Sequence, residues 1–145
     1  NLDRAIATFI LANGAAATGS KVSIFFTFWG LNVIKKKHGP AVKKTLTEKM
    51  FAHMLPKSSD SLALSKMNMM GMGSKMIRGI MKKKNIDSLE SLIRQAMDNG
   101  VEFIACQMTM DMMGIKKEEL LDGVTVGGVA SYMQKAEEAG VNLFI

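Results

Sequence analysis

One cysteine, two histidines, two prolines, one tryptophan and one tyrosine are all that a chain of 145 residues holds of these types. Each shortage excludes something. A lone cysteine cannot build an internal disulfide framework, and nothing in the chain reads as a secretory segment. One thiol also falls short of a dithiol oxidoreductase, which needs a second thiol in the chain to resolve a mixed disulfide. His38, His53 and Cys106 leave a structural zinc site short of ligands on count. Both histidines lie in an irregular basic stretch, and nothing in the sequence ties either to Cys106, so a cysteine hydrolase lacks its base. No window reaches the roughly 18 uncharged apolar residues of a spanning helix. A soluble cytoplasmic protein is the default expectation.

What is present suits one domain over residues 1–145. Apolar residues make up 48% and charged residues 22%, enough for a real core and too apolar for a disordered chain. The net charge of +6 is unevenly spread. Residues 35–84 carry 13 Lys/Arg against Glu48 and Asp60, a balance of +11, whereas residues 85–145 sum to −6. A basic middle on an acidic remainder invites head-to-tail contact with a like molecule, or an acidic partner. The plain alternative is a set of lysines that solvates an exposed segment. No nucleic-acid partner is expected, because the basic stretch has few interleaved aromatics and no recognition motif.

Along the chain, "NLDRAIATFILANGAAATG" has Leu2, Ile6, Phe9 and Ile10 at helical spacing, with Asn1 as N-cap and Gly14 or Gly19 as the end. "KVSIFFTF" reads as a buried strand and "WGLNVIKKKHGP" as a short helix ending before Pro40. Residues 40–60 read as irregular or weakly helical. "DSLESLIRQAMDNG" is a helix with Asp87 and Glu90 at capping-box spacing and Leu89, Leu92, Ile93 and Ala96 on its face. "VEFIAC" is a strand, "KKEEL" a turn, "VTV" a short strand, "GGVASYMQKAEEAG" a helix and "VNLFI" a last strand. Strands alternating with helices predict an α/β domain with a mostly parallel sheet of four strands. Such domains usually begin on a strand, so a further strand is expected before residue 1.

Cys106 is then the last residue of a strand. In an open parallel sheet, binding groups gather beyond the carboxyl ends of the strands. The next segment should turn or start a helix, whose free N–H groups favour the nucleophilic thiolate. On this reading the sulfur is reachable from solvent. The alternative is a buried cysteine that packs as a small apolar residue. A lone thiolate can accept a sulfur atom or an acyl group from one partner and hand it to another, which needs access and docking but no triad.

"FIACQMTMDMMGI", 103–115, resembles the cysteine signature of the DsrE/DsrF/DsrH-like proteins, in particular the DsrE-related branch often labelled "peroxiredoxin-like". "FFTFWGL", 25–31, "SKMNMMGMGSKM", 65–76, and "DGVTVGGVASYM", 122–133, resemble blocks of the same branch in the same order. The resemblance spans nearly the whole chain and departs at the start, where the branch has a first strand and loop. It implies a three-layer α/β/α, flavodoxin-like fold and homo-oligomers. It also implies a sulfur relay between donor and acceptor proteins, with the sulfur held as a persulfide on the motif cysteine, here Cys106. Whether this amounts to sulfurtransferase activity is left open by the family itself. Two other readings stand beside it: a binding or assembly module with a structural cysteine, and a one-cysteine peroxide reductase using an external thiol.

The remaining candidates surround that thiol. Met108 and Thr109 follow it within the motif. Asp111 caps the new helix or orients a partner. Gly127 and Gly128 form an anion-binding turn or simply let strand and helix pack closely. Trp29 and Gly30 end another expected strand, and Trp29 walls the cysteine pocket or joins the core. Residues 62–84 are rich in methionine, with Met67, Met69, Met70, Met72, Met76 and Met81 inside fifteen residues. Gly71, Gly73 and Gly79 argue against a stiff helix there. The segment reads as a flexible lid or oligomer surface. Attachment to a membrane surface and a Cu(I) site are weaker options. "GMGSK", 71–75, lacks the spacing of a phosphate loop. No cofactor or metal is expected.

Overall fold

A computed structural model describes residues 1–40, 42–66 and 69–145. The chain opens with α1 (Leu2–Ala17), whose buried stripe is Leu2, Ala5, Phe9 and Ala12. Ile10 falls off that stripe and is exposed, because the small alanines, not the isoleucine, complete the inward face. β1 (Val22–Phe26) is buried along its whole length, the pattern of a central strand covered on both sides. The next stretch tightens into a 3-10 helix, Phe28–Ile34, and leaves extended through Lys35.

The basic middle carries more helix than its composition suggests. α2 (Leu46–Met54) crosses the stretch read as weakly helical, of which Ala41 lies outside the described residues. α3 (Met72–Lys83) runs through Gly73 and Gly79. Two things offset the cost of those glycines. Gly71, at φ 93, serves as the N-cap, a left-handed geometry that glycine adopts freely. Met81 and Gly73 are buried on the inward side while the lysines face water. Of the methionine cluster, Met67 lies outside the described residues, and Met69, Met70, Met72 and Met76 are exposed.

α4 (Leu89–Asp98) buries Leu89, Leu92, Ile93 and Ala96, the face that its sequence predicts. Its start differs by one residue. Ser88 is the N-cap, its Oγ accepting from the Ser91 amide at 3.2 Å. Asp87 instead accepts from Ser91 Oγ and Gln95 Nε2, at 3.1 and 3.0 Å. Glu90 is drawn away to Arg78 and Ser59, 3.3 and 3.2 Å off. A local capping rule yields here to longer-range charge pairing.

β2 (Glu102–Cys106) leads without a break into α5 (Gln107–Met113). After a 3-10 turn at Lys117–Glu119 come β3 (Thr125–Gly127), α6 (Val129–Glu138) and β4 (Val141–Phe144). The four strands are all parallel, in the order β3-β2-β1-β4. Helices lie on both faces, giving a three-layer α/β/α, flavodoxin-like arrangement. Ile24, Phe26, Phe103 and Ala105 point to the face covered by α1 and α4 and form the main core with them. Phe9 packs 5.6 Å from Phe103 and 6.3 Å from Phe26, centroid to centroid. Phe25, Ile104 and Cys106 point to the opposite face, under Tyr132 of α6.

Candidate functional site

Parallel strands place all their carboxyl ends on one edge of the sheet, and the residues singled out in the sequence gather there. Cys106 ends β2 opposite Gly127, the last residue of β3. Gly128 is the N-cap of α6. Trp29 and Gly30 follow β1, but as part of the 3-10 helix, not as strand residues. Thr109 sits in α5, fully buried, and shares a 3.0 Å hydrogen bond with the Thr27 hydroxyl. That bond ties the segment after β2 to the segment after β1. Gly30 has a packing reason to be glycine. A Cβ there would overlap the Ile145 carbonyl, which extends β4 and accepts from the Thr27 amide at 2.8 Å.

Several expectations are corrected. The residue Cys106 is only 2% exposed and packs with Phe25 and Ile104 beneath Tyr132, so the thiol is covered, not open to solvent. It occupies the N-cap position of α5, yet its side chain accepts no hydrogen bond from the first turn. The reason is direction. The alternation of β2 turns residue 106 toward the α6 face, in line with Ile104 and under Tyr132. Asp111 does not cap α5; it lies inside the helix and accepts from Gln107 Nε2 at 2.8 Å, one turn back. Trp29 is no core residue, being 60% exposed, and Met108 is exposed too. A Cβ at Gly127 would meet Ser131 and Ile104 only at ordinary contact distance, so close strand-to-helix packing does not require a glycine there.

The cover over the thiol is thin. Tyr132 stacks on Phe25 with centroids 4.6 Å apart, and α6 buries none of its residues fully. Burial holds the Tyr132 hydroxyl above its ordinary range. Phe144, 6.1 Å from Phe25, is 69% exposed at the open side of the same face. At the sheet edge, Phe28 holds φ at 43, a left-handed geometry costly for a bulky side chain. Asn32, fully buried in the same 3-10 helix, donates to the Trp29 carbonyl at 3.3 Å. Its Oδ1 has no partner among the described residues. Sequence reasoning missed Tyr132 as the cover. The signal was its place as the single tyrosine, one helical turn after Gly128. Among the described residues no cluster of His, Cys, Asp and Glu is arranged to hold a metal ion, and no helix is long and apolar enough to cross a membrane.

Residues 1–144 match the profile of the DsrE/DsrF/DrsH-like family. The chain belongs to that family. Among curated relatives, this DsrE-like chain is 38% identical over 146 residues to the "Sulfur carrier protein DsrE2" of Allochromatium vinosum. That alignment covers 100% of the chain and 92% of the relative. It is 51% identical over 143 residues to the "Uncharacterized protein YrkE" of Bacillus subtilis, covering 99% of the chain and 89% of that relative. Three of the sequence blocks of the DsrE-like chain fall at the edge where β1 and β2 end and along β3 and α6, and the described part of 65–76 runs up to and into the first turns of α3.

Proposed function

We propose that this DsrE-like protein relays sulfur, carrying sulfane sulfur as a persulfide on Cys106. The observation that carries the reading is the placement of the only thiol at the carboxyl end of a central parallel strand, in a chain whose relative is named a sulfur carrier. In the loading step the Cys106 thiolate attacks the outer sulfur of a donor persulfide. A new S–S bond forms at Cys106, the donor S–S bond breaks, and the donor leaves as a thiolate. In the unloading step an acceptor thiolate attacks that same sulfur and Cys106 departs as the thiolate. Both steps are exchanges with no net redox change, so no cofactor is called for.

A covered thiol must be uncovered for either step. We take α6 as the movable cover, because its contacts are few and none of its residues is fully buried. Trp29, Gly30, Met108, Thr109, Asp111, Gly127 and Gly128 line or support the edge at which donor and acceptor proteins dock. Residues 62–84, with their exposed methionines, serve as lid or contact surface within a homo-oligomer. The reducing cytoplasm is the compartment in which a lone thiol stays free for this exchange.

The test is to incubate the protein with a persulfide donor, weigh it intact and locate the modified peptide. A gain of about 32 Da, one sulfur atom, on the Cys106 peptide is expected. Absence of that gain under conditions that load a known carrier contradicts the proposal. The burial of Cys106 favours a second reading, an assembly module with a structural cysteine. A thiol that resists alkylation in the folded protein for hours, yet reacts at once in urea, would support that reading.

A further inference from the structure

A cavity of about 460 Å³ lies away from the thiol, and Cys106 is not among its lining residues. It is bounded by Lys35 and Lys37 just after the Phe28–Ile34 segment, the start of the 3-10 turn at Ser59–Ser61, the middle of α4 and Leu121. Its size falls in the range of small-molecule sites. One wall is apolar, made by Ile93, Met97 and Leu121. Apart from Ser58 and Ser59 the rest is charged, and the three cations outnumber the two carboxylates.

Lys35 lines this cavity and is 9% exposed. Its nearest carboxylate oxygen, Glu119 Oε1, is 4.0 Å away, too far for a hydrogen bond. Glu119 is already committed. Lys44 Nζ sits 2.9 and 2.8 Å from its two oxygens, and the Lys116 amide donates to Oε2 at 2.9 Å. Two nearly buried ammonium groups therefore share one carboxylate, and among the described residues Lys35 Nζ donates no hydrogen bond. The Arg94 side chain, also on the cavity wall, makes no ion pair or hydrogen bond among the described residues. The two carboxylates on the wall offer neither cation a partner. Asp60 pairs with Lys37 at 2.9 Å, and Glu90 pairs with Arg78 at 3.3 Å. Burial, opposed by Glu119 and reinforced by Lys44, holds the Lys35 ammonium below the ordinary lysine range. A nearly buried cation without a hydrogen-bonded counterion is costly, and a negatively charged guest removes that cost.

We propose that this cavity binds a small organic anion, its anionic oxygens on Lys35 and Arg94 and its apolar body against Ile93, Met97 and Leu121. The site goes beyond the sulfur-relay reading and does not depend on it. The chemistry shared by carboxylates and phosphate esters suffices for recognition, since both present hydrogen-bond acceptors with full negative charge.

The test uses the full chain, labelled with 15N, titrated with phenyl phosphate, with benzoate and with neutral benzamide to millimolar concentration. At least one anion should give saturable amide shifts around Lys35, Ser59 and Arg94, while benzamide gives none. Lys35→Met and Arg94→Gln should each weaken that binding roughly tenfold, the loss of one charged hydrogen bond. Lys35→Met leaves Glu119 paired with Lys44, and Arg94 is exposed, so the second variant decides if the first is misfolded. Binding of phenyl phosphate alone assigns the site to phosphate esters; binding of benzoate alone assigns it to carboxylates. No saturable shift with either anion, an equal response to benzamide, or undiminished binding in the folded variants would overturn the proposal.

Discussion

On one face of the sheet, α1 and α4 seal Ile24, Phe26, Phe103 and Ala105 into a continuous apolar core. On the other, Tyr132 of α6 lies over Phe25, Ile104 and Cys106, with Phe144 left exposed beside them. The same strands supply both faces, so the difference lies in what covers them. The first face accounts for most of the apolar burial that holds the fold. The second leaves its thiol dry but lightly held. A sulfur carrier needs that combination, since a persulfide must be shielded between partners and exposed to each in turn.

The largest expected effect tests the thick face. Phe103→Ala removes a buried ring packed against Phe9 and Phe26, 5.6 and 5.3 Å away, and should cost about 4 kcal/mol of stability in urea unfolding. Tyr132→Ala, on the thin face, should cost about 2 kcal/mol. It should also speed alkylation of Cys106 by roughly tenfold, because a smaller opening free energy uncovers the thiol. Equal costs for the two substitutions, with an unchanged alkylation rate, would erase the contrast between the faces.

How far this contrast was legible in the sequence depends on the range of the forces involved. Periodicity alone places the buried face of α4 and the strand ending at Cys106, because apolar spacing is a local property. The four family-like blocks supply the flavodoxin-like fold. The direction of the Cys106 side chain follows from strand alternation, but which face is thickly covered depends on where α1 and α4 pack, far away in sequence. The helix through Gly73 and Gly79 was hidden for the same reason: propensity opposes it, and tertiary burial of Met81 overrides propensity. The sharing of Glu119 between Lys35 and Lys44 joins three positions that no local pattern links.

Two smaller effects sharpen the picture at the sheet edge and beyond it. Thr109→Val breaks the bond to Thr27 and leaves a nearly buried hydroxyl without its partner, so about 1 kcal/mol should be lost. If the loss is accompanied by faster Cys106 alkylation, the start of α5 also gates the thiol. The smallest effect lies at an exposed carboxylate in the Ser59–Ser61 turn. The Ser58 hydroxyl and then the Lys37 ammonium hold the Asp60 carboxyl below its ordinary range. A depressed folded pKa contributes stability that is fully present above the unfolded value near 3.8 and lost as pH falls through the folded value. Asp60→Asn should therefore cost less than about 1 kcal/mol at neutral pH, and its deficit should close as the pH drops below about 3.8 in acid unfolding curves.

The most direct measurement follows sulfur onto the covered thiol in time. Wild type, Tyr132→Ala and Cys106→Ser are mixed with a persulfide donor and weighed intact at intervals. Wild type should gain about 32 Da, Tyr132→Ala should gain it faster, and Cys106→Ser should gain nothing. If neither of the first two gains mass while N-ethylmaleimide adds to Cys106 in parallel samples, the thiol is accessible and does not carry sulfur, and the account is wrong.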